Sequence, residues 1–259
     1  MVVTNPKIIF ENKDIIVVMK PAGLLVHAGA AQEGGKGSVV RGKGMKTGKK
    51  KELVFRNEPT LVGWLLERYP EIKTVGDNVH HRPGIVHRLD KETSGVMVVA
   101  RNQASFDHLK SLFMAHRVLK TYHTIVFGVP KNSQGVIDLP IGIKNGTLKR
   151  SVLSDKLKKE AVTAYRILKT FRAPNAKGEV ANFSLLEVKP KTGRTHQIRV
   201  HLAHLGHAIV GDPLYGPQRQ PPWARRLMLQ AVALEFPARN GKPMKFEAER
   251  ELGESVAGG

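Results

Sequence analysis

Hydrophobic positions along the chain recur with two periods, and the alternation between them lays out the elements. From residue 7, "KIIFENKDIIVVMKPAGLLVHAG" reads as two short strands separated by a polar turn, with Pro21 and Gly23 breaking the second run. "TLVGWLLERYP", opened by Pro59 and Thr60, carries Leu61, Trp64 and Leu65 at helical spacing. A period of two returns in "IVHRLD", which puts Val86, Arg88 and Asp90 on one face of a strand and Ile85, His87 and Leu89 on the other. "VMVVA" then re-enters the core. Phe106, Leu109, Leu112 and Phe113 mark an amphipathic helix within "NQASFDHLKSLFMAHRV". "LKTYHTIVFGVP" is a strand ended by a glycine-proline turn, and "KEAVTAYRILKTF" and "VANFSLLEVKPKTG" alternate as antiparallel strands do. A last helix carries the stripe Ile198, Leu202 and Leu205, with Thr195 as its expected N-cap and Gly206 closing it. "RLMLQAVALEFP" and "PMKFEAE" supply late strands. Many strands, few helices and no internal repeat predict an α+β protein built on a large, mostly antiparallel sheet.

Periodicity vanishes over residues 29–58, where glycine and lysine dominate. This stretch reads as a flexible surface loop and, compatibly, as a basic arm touching phosphates. The whole chain of 259 residues carries 42 Lys and Arg against 22 Asp and Glu, a formal net charge of +20. Such an excess predicts attraction to a polyanion, most often nucleic acid. The absence of cysteine excludes disulfides, thiolate nucleophiles and Cys-based zinc sites. No apolar run approaches transmembrane length, and the first residues lack the pattern of a secretory or transit signal, so a cytoplasmic protein is expected.

Two constellations could carry chemistry. Asp90 lies at the mouth of an apolar segment, where a carboxylate needs a partner, although it could equally cap the turn made by "KETSG". About a hundred residues on, "KTGRTHQIRVHLAHLGH" offers Arg194 near a helix start, and His196 and Arg199 on a face distinct from the apolar stripe. A guanidinium on a half-buried helix is suited to fixing a carboxylate, although both arginines could be ordinary surface charges. The histidines His80, His81 and His87, and His196, His201, His204 and His207, do not pair at the i, i+4 spacing of metalloprotease sites. A glycosidase needs two carboxylates about the scissile bond, and only one stands in such a setting here. A single aspartate with no net addition of water points to isomerisation at a glycosidic carbon.

At this point the residues resemble a known family. "KPAGLLVHAG", "HRLDKETSGVMVVAR", "LKTYHTIVFG" and "PKTGRTHQIRVHLAHLGHAIVGDPLYG" occur in the order of the motifs of the RluA family of RNA pseudouridine synthases, over nearly the whole chain. The resemblance implies the pseudouridine-synthase fold: a large, mostly antiparallel mixed sheet with flanking helices and a central active-site cleft. It implies that Asp90 attacks, or stabilises charge at, the ribose C1′ of a uridine in structured RNA, ribosomal RNA first and transfer RNA next. Tyr122 would stack on the uracil and help remove the C5 proton, and Arg199 would pair with Asp90 and aim it. Arg88 would enter the RNA stack vacated by the flipped base. Lys20, His87, Arg194 and His196 are the further expected RNA contacts. No cofactor, metal or membrane is implied, and a monomer is expected. The sequence is read as departing from the family in lacking room before Ile8 for an N-terminal S4-type RNA-binding domain, so that residues 1–259 are expected to form one catalytic domain. It departs also in the long 29–58 stretch, and in Gln230, where relatives often have histidine. A catalytically silent RNA-binding or ribosome-assembly factor on the same fold is the alternative.

Overall fold

The computed structural model describes residues 5–28, 58–144, 149–249 and 252. The reading of residues 29–58 as a loop lies almost wholly outside them. Two strands open the chain, β1 (Lys7–Glu11) and β2 (Ile15–Lys20). Asn12 makes the turn between them, its Oδ1 accepting from the amides of Asp14 and Ile15 at 2.8 and 2.9 Å. Helix α1 (Leu61–Arg68) begins at Thr60, whose hydroxyl accepts from Gly63 N at 3.0 Å. Strand β3 (Ser94–Ala100) is buried along its whole length, and α2 (Gln103–Met114) follows from an Asn102 cap. Then come β4 (Leu119–Phe127), β5 (Gln134–Asp138), a small hairpin of β6 (Gly142–Ile143) and β7 (Arg150–Ser151), and the long pair β8 (Val162–Pro174) and β9 (Val180–Pro190). Helix α3 (Gln197–His204), β10 (Leu229–Pro237) and β11 (Pro243–Glu247) complete the elements.

Nine strands form one sheet in the order β1-β2-β3-β10-β4-β9-β8-β5, with β11 also paired to β10. Its pairings are antiparallel except for β3 with β10. The sheet is therefore the mixed, mostly antiparallel one expected. Periodicity of two explains how it is covered. Ile16, Val18, Met97 and Val99 of β2 and β3 pack with Leu61, Val62 and Leu65 of α1. Their neighbours Ile15, Val17, Val96 and Val98 pack with Phe106, Leu109 and Leu112 of α2. Both faces are buried there, which is why these strands read as continuous apolar runs. A third core joins Ile125, Leu186 and Val188 of the central strands to Ile198 and Leu202 of α3. Among the described residues no helix is long and apolar enough to cross a membrane.

Three local expectations are corrected. Residues 86–90 belong to no strand, and of this stretch Ile85 makes an isolated bridge, to Val99. The alternation nevertheless holds where burial decides it, because Ile85 and Leu89 enter the core while Arg88 is exposed. Thr195 does not cap α3. The cap residue is His196 in a left-handed conformation, φ 58°, with no side-chain cap bond. Leu205, assigned to the apolar stripe, ends up 39% exposed, beyond the reach of the core. Strands β5, β6 and β7 carry too little apolar pattern to have been foreseen.

The parallel pairing of β3 with β10 requires Gly95. Its φ is +136°, and a Cβ there would lie 2.3 Å from the Ala231 carbonyl oxygen and 2.5 Å from Ala231 N. Neither backbone can yield without breaking the register Ser94–Gln230 and Gly95–Ala231. Gly95→Ala is expected to destabilise the protein by about 2–3 kcal/mol, read as a lower urea midpoint at unchanged m-value.

Candidate active site

Asp90 stands at the end of this segment, before the turn that leads into β3. Its carbonyl accepts from Thr93 N at 3.1 Å, closing a turn that redirects the chain into the sheet. The next residue fixes this turn from outside, since the Lys91 carbonyl accepts from Gly23 N at 2.8 Å and from Lys20 Nζ at 3.1 Å. The Asp90 side chain is 16% exposed and opens into a cleft of about 560 Å³. His87, Arg88, Tyr122, Arg194, His196 and Arg199 line the same cleft. Residues more than a hundred positions apart in sequence thus converge on one carboxylate.

Arg199 projects from α3 and is completely buried. Its Nε and Nη2 donate to the two carboxylate oxygens of Asp212, both at 2.8 Å, while Nη1 lies 3.5 Å from Asp90 Oδ2 and 3.8 Å from Glu92. The principal partner of Arg199 is therefore Asp212, and Asp90 receives one long contact. Asp212 Oδ1 also accepts from Leu214 N at 2.8 Å and Tyr215 N at 3.1 Å. Burial works against both charges, but these bonds outweigh it. They hold the Asp212 carboxyl below, and the Arg199 guanidinium above, their ordinary values. The guanidinium also lies 5.3 Å from the centre of the Tyr215 ring. The Tyr215 hydroxyl in turn makes a 2.9 Å hydrogen bond with His196 Nδ1 and accepts from Arg150 N at 2.8 Å.

Helix α3 can carry so much polarity because each buried polar side chain is satisfied. Gln197 accepts from Thr192 Oγ1 and Arg194 N and donates to Val162 O and Thr163 Oγ1, at 2.7 to 3.0 Å. His201 is bonded to Thr163 Oγ1 and Leu139 O at 2.9 and 2.8 Å. Among the described residues no three His, Asp or Glu side chains are grouped to hold a metal ion.

Tyr122, on β4, faces the cleft with its phenol pushed well above the ordinary value, first by burial and then by the charge of Asp90. At neutral pH it is a phenol. His196 Nε2 lies 3.9 Å from Asp90 Oδ2, and burial, the largest influence, lowers its imidazole below the usual range. His87 stacks on Phe113, ring centres 4.6 Å apart, and its Nε2 accepts from Val98 N at 3.1 Å. Burial, followed by the charge of Lys120, pushes it down to about 3, so it offers a neutral ring to the cleft. Arg88 and Arg194 are exposed at the rim, Arg194 Nε donating to Glu160 O at 2.9 Å.

Lys20 is the correction among the expected RNA contacts. It is fully buried, and its ammonium donates to the carbonyls of Pro21, Leu24 and Lys91 at 2.9, 2.8 and 3.1 Å. All three hydrogens are used, so this lysine pins the loop carrying Asp90 and has none left for a phosphate. Its charge state reflects the same burial, which lowers it to about 8 although Glu92 and Asp90 pull the other way. Asp212 and Tyr215 were missed as site residues. The signal available was "GDPLYG", an acid and an aromatic following the arginine helix, but nothing in their spacing says that they turn back onto Arg199.

Known proteins resemble this chain over most of its length. The family model described as RNA pseudouridylate synthase matches residues 14–204. A ribosomal large subunit pseudouridine synthase D from Pseudomonas aeruginosa is 38% identical over 232 residues, 89% of this chain and 60% of the relative. An uncharacterized RNA pseudouridine synthase from Chloroflexus aurantiacus is 39% identical over 231 residues, 88% of this chain and 61% of the relative. The chain thus spans about 60% of the length of these curated relatives. Among solved structures, human RNA pseudouridylate synthase domain containing 1 is similar with a TM-score of 0.67 and 25% identity, covering 96% of this chain and 84% of that one. With the family model matched from Asp14 to His204, through Asp90, Tyr122 and Arg199, the chain belongs to the RNA pseudouridylate synthase family.

Proposed function

We propose that this protein isomerises uridine to pseudouridine in structured RNA, ribosomal RNA before transfer RNA, with Asp90 at the reacting carbon. The observation that carries the reading is a half-buried carboxylate in a cleft between Arg199 and Tyr122, approached by one guanidinium at 3.5 Å and leaving its other oxygen uncommitted to that contact. Relatives named for pseudouridine synthesis on the large ribosomal subunit support the substrate class.

In this reading the N1–C1′ bond of the uridine breaks as an Asp90 oxygen bonds to, or stabilises charge on, C1′, and the uracil departs as an anion. The base turns, its C5 bonds to C1′ as any bond from Asp90 to that carbon breaks, and C5 gives up its proton while N1 takes one up, so the product is an isomer and no water is consumed. The phenol of Tyr122 is protonated at rest, which suits it to stack on the uracil. Asp90, released as the new bond forms, can take the C5 proton with Tyr122 beside it. Arg199, immobilised by Asp212, orients Asp90 without neutralising it through a bidentate pair. Arg88, exposed beside Asp90, fits the role of filling the stack where the base has left, and Arg194 and neutral His87 and His196 bound the space around the nucleotide.

Asp90→Asn is expected to lower isomerisation of ribosomal RNA transcripts by roughly a thousandfold or more while RNA affinity is retained. Unchanged product formation in that variant would leave the silent RNA-binding factor as the better reading. Asp212→Ala should strand the Arg199 charge in the core. A loss of about 3–5 kcal/mol is expected by chemical denaturation, together with a fall in turnover in whatever fraction remains folded.

A further inference from the structure

Lys120 is a cation that the mechanism does not use. It lies on β4 two residues before Tyr122, on the same face, and lines the same cleft. Its half-buried ammonium donates to Thr192 O at 3.2 Å and forms no ion pair among the described residues. Burial lowers it to about 8, so it remains largely charged at neutral pH, with one carbonyl and no carboxylate to offset the loss of water. Lys120 stands two residues, or roughly 7 Å of strand, from Tyr122 along β4, and its ammonium is held at the Thr192 carbonyl. That end of the cleft is walled by aromatic and apolar groups: His87 stacked on Phe113, and Met114, 72% exposed. An unpaired ammonium beside an exposed apolar ledge matches the two halves of a nucleotide, one phosphate and one base face.

We propose that this end of the cleft is a second nucleotide subsite, where Lys120 binds a backbone phosphate adjoining the target uridine and the neighbouring base lies against the Phe113–Met114 ledge. This rests on the RNA-acting reading above and adds the residue that fixes the strand's path. A phosphate fits better than the departing uracil anion, because the uracil is held between Asp90 and Tyr122 and the next charge along the strand belongs to the backbone.

The test is binding of a fluorescent oligouridylate to the full chain across a range of salt, in an Asp90→Asn background so that no turnover intrudes. Lys120→Met is expected to weaken binding about three- to tenfold at low salt and to reduce the slope of log affinity against log salt by about 0.7, one single-strand phosphate contact. Lys120→Arg should keep the slope. Met114→Ser should weaken binding with the slope unchanged, since a base contact releases no counterion. Should Lys120→Met fail to fold, Lys120→Gln makes the same comparison while keeping a donor for Thr192. An unchanged slope in the neutral variant would overturn the proposal. So would a Lys120 variant, tested with Asp90 intact, whose turnover falls while binding holds, because that would move the ammonium onto the uracil. Neither result bears on the isomerase reading, which fails separately if Asp90→Asn still makes pseudouridine.

Discussion

The buried ion pair of Arg199 with Asp212 is the constraint around which the site is built. Both side chains are wholly inaccessible, and such a pair is tolerable only when nearly every polar hydrogen and lone pair has a partner. Here two guanidinium nitrogens serve Asp212, and Asp212 takes two further amides from the turn that follows it. The orientation of Arg199 is thereby settled without Asp90. This matters for chemistry because a carboxylate held bidentately by an arginine has its lone pairs occupied. Asp90 instead receives one 3.5 Å contact from the guanidinium, which suits the role proposed for it.

The same division of labour extends outward. Lys20 uses its charge on three backbone carbonyls and so ties the segment after β2 to the turn after Asp90. Gly95 lets β3 lie against β10 at the point where that turn enters the sheet. Gln197 and His201 satisfy α3 against β8 and the segment that follows β5. Each fixes an element that presents a cleft residue, and none needs to meet a substrate. A reacting group must be held within about half an ångström to be productive, and these contacts supply that rigidity.

Much of this was legible in the sequence for a simple physical reason. Burial on both sheet faces produced the apolar runs of β2 and β3, and burial on one face produced the stripes of α1 and α2, so pattern alone recovered them. The convergence of Asp90, Tyr122 and Arg199 on one cleft followed from the motifs. What pattern could not reveal was the direction of a buried polar side chain. Lys20 was expected among the RNA contacts with the resemblance, and only the fold shows three carbonyls converging on it. Arg199 was matched to the one suspicious carboxylate, whereas Asp212, thirteen residues on, was hidden in a turn sequence that reads as loop. The left-handed His196 at the start of α3 displaced the expected Thr195 cap for the same reason, since tertiary contacts with Tyr215 and the cleft outweigh local capping preference.

Net charge is correspondingly a poor count of RNA contacts. A formal charge of +20 draws a polyanion toward the whole surface, but the cations in and around the cleft differ in what they can still do. Arg199 and Lys20 are already fully engaged inside the protein. Arg88 and Arg194 remain hydrated at the rim, where a phosphate contact exchanges one set of partners for another at little gain. Lys120 is partly buried with a single backbone carbonyl as its partner. A cation that has lost water without acquiring a carboxylate has the most to recover from an incoming anion, so affinity should concentrate where desolvation is least compensated rather than where lysines and arginines are most numerous.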